Sequence, residues 1–261
     1  METTRCYMCE NQAISREHVP PKCLFPEPKD IGGLNFKKNL ITVPSCEIHN
    51  MSKSHNDEFL MFSLAGIINN NKVGQYHFYT KVNRAIKRKE KDFLNKQILR
   101  NLKYASYKTI EDKFTIVAMG NPNYERLEEC FKSISYGLFF EQFQSKFVGE
   151  IRMILGFIDY KDNNTQTFKS LIKKRFEVEK VLLENIQGEN PQVFYYQFCK
   201  PDENGLIAMK MVFYEKNEIF VCFKPNESSI PFDLAFALMK TGTKTTFTIE
   251  DEKFVFNKDF S

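Results

Sequence analysis

The chain has no tryptophan, only four histidines, and no apolar run near the roughly 20 residues that a bilayer-spanning helix requires. A helical membrane anchor is therefore excluded. The opening stretch METTRCYMCENQ lacks the apolar core of a secretion signal, so the expected compartment is the cytoplasm. Internal repeats and low-complexity tracts are also missing, which argues against solenoids and flexible linkers. A disulfide framework is not indicated either. The seven cysteines are odd in number, in a large chain without an export signal.

What is present is enough apolar material for a true core. Hydrophobic residues make up 42% and include 26 Phe, so the chain is not of the disordered class. Its 261 residues suit one large domain or two modest ones. Cys130, Cys199 and Cys222 lie in apolar surroundings and read as small core hydrophobes, whereas Cys23 fits either use. Cys6, Cys9 and Cys46 need another account.

Charge is unevenly spread. Residues 1–60 carry 7 basic and 8 acidic side chains, residues 61–120 carry 12 and 4, and residues 121–261 carry 18 and 21. The positive excess sits in the middle segment and points to a polyanionic partner. Three regions follow: a loop-rich module at 1–60, a basic helical connector at 61–120, and an α+β domain at 121–261.

Element signals support that division. Leu40 to Val43 is a short β-type run. A helix is expected from near Asn50 through DEFLMFSLAGII, and a long one from Thr80 to about Tyr107 with Lys and Arg on its outer faces. FTIVAMGNPN reads as a strand. Leu127, Cys130, Phe131, Ile134, Leu138 and Phe139 recur at helical spacing. EIRMILGFIDY reads as a buried strand and 165–188 as a helix stopped by Gly188. QVFYYQFC, LIAMKMVFY and EIFVCFK are three β-type runs, the first two joined by a PDENG turn. A short helix at SSIPFDLAFALMKTG and two closing strands complete an antiparallel α+β class.

The chemistry concentrates near the start. Cys6-x-x-Cys9 and Cys46-x-x-His49 are two ligand pairs, and a two-residue spacer lets both members of a pair converge on one ion. Three thiolates and one imidazole suit tetrahedral Zn²⁺ with no open position, which makes the site structural. Such a staple adds folding free energy to a module whose own core is thin.

Between and after those pairs come Glu17-His18 with Pro21, then Asn39-Leu40, then Asn50 directly after His49, with Lys53 one turn on. This ordered set resembles the HNH endonuclease family over residues 5–58. Glu17 stands where Asp is commoner, His49 where a zinc-binding Cys is usual, and Asn50 at the position of the last His. The resemblance implies a zinc-stapled, treble-clef-like ββα-metal module. His18 would be the general base, with Glu17 and Asn50 holding a catalytic Mg²⁺ or Mn²⁺, and Asn39 would order the loop carrying the His. His55 ranks first among His55, Ser54 and Asp57 as a further contact, and Lys53 is a candidate phosphate contact.

The chemistry agrees. A His with an ordinary pKa of about 6.5 accepts a proton from water near neutral pH. A carboxylate and an amide oxygen suit a hard divalent cation, which acts as Lewis acid and template. Because adjacent strand residues face opposite sides, Glu17 and His18 are expected on a bend.

The reading is a metal-dependent DNA endonuclease, with Lys87, Arg88 and Lys89 contacting phosphates. Its alternatives are a non-catalytic zinc-stapled nucleic-acid-binding module, or a ribonuclease on the same scaffold. The carboxy-terminal region is expected to regulate, oligomerise or recognise targets, through a homodimer or through a regulatory ligand or protein. By analogy of architecture it suits an effector of bacterial anti-phage or restriction systems.

Overall fold

The computed structural model describes residues 4–89, 96, 98–108, 114–178, 186–202, 205–228 and 239–258. Side chains of 51–55, 102, 107, 108 and 114–118 are outside the described set. The protein is mixed α+β with antiparallel sheets. It divides into two compact units. One comprises Met1–Phe147, Gly188–Phe194 and Phe213–Glu215; the other comprises Val148–Gln187, Tyr195–Val212 and Lys216–Ser261. The first unit thus runs well past residue 60 and takes in the basic segment.

The first unit starts with strands β1 (Ser15–His18) and β2 (Thr42–Ser45), paired antiparallel with Glu17 opposite Val43 and His18 opposite Thr42. Pro44 is tolerated because this sheet has only two strands, so its missing N–H breaks no inner ladder. Arg16 spans the pair, donating to the Thr42 hydroxyl at 2.9 Å and its carbonyl at 2.6 Å. The connection folds under through single 3₁₀ turns at Lys22–Leu24 and Pro28–Asp30, burying Leu24 and Phe25.

Helix α1 (Glu47–Ala65) follows β2 at once, with Cys46 as its N-cap, three residues earlier than the sequence suggests. Its second half buries Phe59, Leu60, Met61, Phe62, Leu64 and Ala65 on nearly every side, so this end is core. The expected helical stripe appears in α4 (Tyr124–Phe143), where Leu127, Cys130, Phe131, Ile134, Leu138 and Phe139 are all buried. Each buried Leu or Phe is worth roughly 1.5–3 kcal/mol. Arg126 ties α4 to α1, stacking on Phe59 at 4.3 Å and donating to the Asn56 side chain at 2.9 Å. Gly137 lets α4 approach the stretch after His18, since a Cβ there would lie 2.7 Å from Val19 Cγ2.

Residues 72–122 correct the expected long helix. A short α2 (Lys72–His77) is followed by a π-helical turn at Phe78–Val82 and by α3 (Asn83–Ile86). Strands β3 (Leu99–Lys108) and β4 (Phe114–Pro122) then form an antiparallel hairpin. The expected helix is present only up to Ile86; residues 90–95 and 97 lie outside the described set, and at 99–107 pairing with the apolar FTIVAM run decides for strand over good helix formers.

A five-stranded sheet is ordered β5-β9-β8-β7-β6: Gly149–Leu155, Asn217–Pro225, Ile207–Phe213, Phe194–Phe198 and Gln187–Asn190, of which Gly188–Asn190, Phe194 and Phe213 belong to the first unit and the rest to the second. Strand β5 is an edge strand and only half-buried, not the buried strand expected. Alternating burial along β7 and β8 marks a core face, where Phe198 and Phe223 rings lie 5.9 Å apart. Helix α5 (Asn163–Val178) covers this core with Phe176 against Phe220, centroids 5.1 Å apart. It ends before Gly188, which lies within β6 at φ 109° rather than stopping a helix. A closing hairpin pairs β10 (Thr245–Ile249) with β11 (Glu252–Phe256). Most of the expected helix at 228–242 falls outside the described residues. Among the described residues, no helix is long and apolar enough to cross a membrane.

Candidate metal centre

Two backbone devices bring the distant ligand pairs together. Residues 4–13 fold back on themselves, with the Cys6 amide donating to Asn11 O at 2.9 Å and the Ala13 amide to Thr4 O at 2.9 Å. This knuckle is pinned to β2 by the Tyr7 amide on Pro44 O at 2.9 Å and the Ile14 amide on Ser45 O at 3.0 Å. Those acceptors directly precede Cys46. Glu10, in the knuckle, pairs with both Arg5 and Lys146, and the cationic partners, Lys146 first, hold its carboxyl below the usual range.

The ligand atoms of Cys6, Cys9, Cys46 and His49 all lie within 4.8 Å of one another and can hold a metal ion. His49 Nδ1 is 3.4 Å from Cys6 Sγ, 3.6 Å from Cys9 Sγ and 3.2 Å from Cys46 Sγ, and the Cys9 and Cys46 sulfurs are 3.8 Å apart. Zinc bonds of about 2.3 Å to sulfur and about 2.0 Å to nitrogen give tetrahedral edges near 3.8 Å (S···S) and 3.5 Å (S···N). The separations fit those edges. The His49 backbone amide, at the start of α1, is the main cause pulling the Cys46 thiol down to about 6, which favours the ligating thiolate.

Glu17 and His18 end a regular strand, which corrects the expected bend. The ladder runs through His18 opposite Thr42 and one step further, the Val19 amide donating to Ile41 O at 3.0 Å. Their side chains accordingly differ: Glu17 is 6% exposed and His18 is half-buried. Glu17 lies beside the buried Tyr7 hydroxyl. Burial chiefly, and then the Glu17 charge, raises the Tyr7 pKa, with Asp57 adding to it. Asp57 also lines a cavity of about 40 Å³ with Tyr7, Pro21, His49, Asn56 and Cys130. Tyr7 was not foreseen from sequence; nothing in its local pattern points 10 residues ahead to Glu17.

The remaining candidates lie on several elements. Asn50 is exposed in the first turn of α1. Asn39 adopts a left-handed φ of 50° in the loop and donates to Glu189 at 3.3 Å, which is turn behaviour. The side chains of Lys53 and His55 lie outside the described set. Lys87 and Arg88 are exposed, and Lys89 pairs with Glu58 at 2.9 Å. Cys23 is an interior thiol donating to Asp57 O at 3.2 Å, and burial pushes it up to about 12. His77 is buried; its Nε2–H donates to Cys23 O at 3.1 Å and burial pulls its pKa down to about 4.

No family model, curated protein or solved structure matches the chain.

Proposed function

We propose that the first unit is a zinc-stapled, metal-dependent HNH-type endonuclease that hydrolyses DNA phosphodiester bonds. The observation that carries the reading is an order of elements. Strand β1 ends in Glu17-His18, β2 leads into α1, and the four-ligand cluster pins the start of α1 to the knuckle before β1. This is the ββα layout that the sequence resemblance implies. Asn50 falls one residue after His49, within the first turn of α1.

The Cys6, Cys9, Cys46 and His49 set suits zinc in a closed, structural role, since all four positions are filled by protein. In the reaction His18 takes the proton from the attacking water. It is half-buried, and its backbone is held by the ladder at the end of a paired strand. The Glu17 carboxylate and Asn50 amide oxygen are the donors assigned to Mg²⁺ or Mn²⁺. A cation held by them would supply charge stabilisation for the phosphoryl oxygens and the leaving group. On this reading the sheet unit gates or targets the cut.

Glu17 burial favours one other reading, a non-catalytic nucleic-acid-binding module in which Glu17 and Tyr7 only complete the interior. Incubating the purified chain with supercoiled plasmid in Mg²⁺, Mn²⁺ or EDTA separates the two. Metal-dependent nicking is the expected result. Intact plasmid in every metal, with zinc bound, would favour the binding module.

A further inference from the structure

The positive excess in the middle of the chain has one wall missing in the sequence, and the fold supplies it. An open groove of about 570 Å³ in the first unit is lined by Glu27, Lys29, Lys81, Arg84, Lys87 and Arg88. One wall is the Pro28–Asp30 turn, inside the loop that joins β1 to β2. The other is the π-helical turn at Phe78–Val82 with α3 and the residues just after it. Side chains more than 50 positions apart in sequence therefore face one cleft.

Its ion pairs are arranged between the walls. Arg84 grips Asp30 through both oxygens, at 2.9 and 2.6 Å. Lys81 reaches Glu27 at 3.5 Å and the Cys23 carbonyl at 3.2 Å, and Lys37 also pairs with Glu27. The two acids nearest the groove are thus neutralised, and both carboxyls are held below their ordinary range, first of all by Arg84 for Asp30 and by Lys37 for Glu27. Lys29, Lys87 and Arg88 are exposed and, among the described residues, have no carboxylate partner. Lys89 differs: it is engaged by Glu58 and does not line the groove.

We propose that this groove, with Lys29, Lys87 and Arg88 as the cations that have no carboxylate partner among the described residues, is a seat for the sugar-phosphate backbone of nucleic acid. Cross-wall ion pairs fix the width of the cleft before any ligand arrives, so little ordering is needed on binding. Exposed cations on facing walls suit a strand of regularly spaced phosphates, and burying the phosphates there releases counterions. The assignment rests on the nuclease reading for its substrate but makes its own claim about position.

The test is binding of a short fluorescein-labelled duplex to the full chain carrying His18→Ala, so the probe stays intact, across a salt series. The triple change Lys29→Ala, Lys87→Ala and Arg88→Ala should lower the slope of log K against log salt by about 2.7, about 0.9 per contact. Lys29→Ala alone should account for a third of that. The second-unit control Lys253→Ala should leave the slope unchanged. Zinc content and melting temperature, expected to be unaltered, establish that the variants are folded. An unchanged slope in the triple variant, an equal fall in Lys253→Ala, or no binding by the parent protein would overturn the proposal. Plasmid nicking separates it from the nuclease reading. Groove-dependent binding without any nicking by the wild type keeps the groove and removes the nuclease. Nicking that the triple change leaves at full rate under limiting DNA removes the groove and keeps the nuclease.

Discussion

Residues 4–46 gather Cys6, Cys9 and Cys46 around His49, whereas the sheet of the second unit gathers Tyr196, Phe198, Met209, Met211, Val221 and Phe223, none more than 2% exposed. One region closes a long loop with four polar ligands and short backbone links. The other has a continuous hydrocarbon face and needs no staple. On the proposed reading the difference separates two sources of stability, metal ligation and area removed from water. It also separates two uses. Every residue assigned a chemical role lies in the first unit, which also holds the four-ligand cluster.

The sharpest way to break the comparison is to remove the metal. Structural zinc contributes about 10–16 kcal/mol of apparent binding free energy in small zinc modules at neutral pH. Cys46→Ser should abolish zinc retention and strip hydrogen-exchange protection from β1 and β2, while strand β8 keeps its own. Full metal loss with β1 and β2 still protected would contradict the stapling role. The converse change is Phe223→Ala in the second unit. It should cost about 3–5 kcal/mol, as for other large-to-small core changes, and leave zinc content untouched.

A smaller effect sharpens the contrast within the first unit. His77 is held neutral by burial, with a folded pKa of about 4 against about 6.5 when unfolded. Between those values the unfolded chain binds a proton that the folded chain does not. Stability therefore falls as pH drops from about 6.5 towards 4, by up to about 3 kcal/mol. Replacing His77 by Gln removes this term. Its melting temperature should decline less between pH 7 and pH 4.5 than that of the wild type, and an equal decline would contradict the neutral, buried state.

How far these regions were legible in the sequence follows from the range of the interactions involved. The ligand pairs were legible because each two-residue spacing is local, and α4 because its apolar stripe repeats within 13 residues from Leu127 to Phe139. The stretch 99–107 misled because Leu, Arg, Lys and Ala favour helix, while the deciding influence is the partner strand at 114–122. A shift in register between Arg100 and Lys103, with Asn101 at φ 56°, also blurs its alternation. Gly188 carries the same signature in a helix stop and in a strand at positive φ. Tyr7 beside Glu17, and Lys29 across from Lys87, meet only through the tertiary fold. No local pattern announces them.

The central claim is that His18 is a base for phosphodiester hydrolysis on a metal-stapled scaffold. Its most direct test compares plasmid nicking by wild type and His18→Ala in Mg²⁺ or Mn²⁺, with zinc content measured on the same samples. Loss of about 10²–10⁴-fold in cutting with full zinc retained is the predicted result. Undiminished nicking by a zinc-replete His18→Ala protein would contradict it.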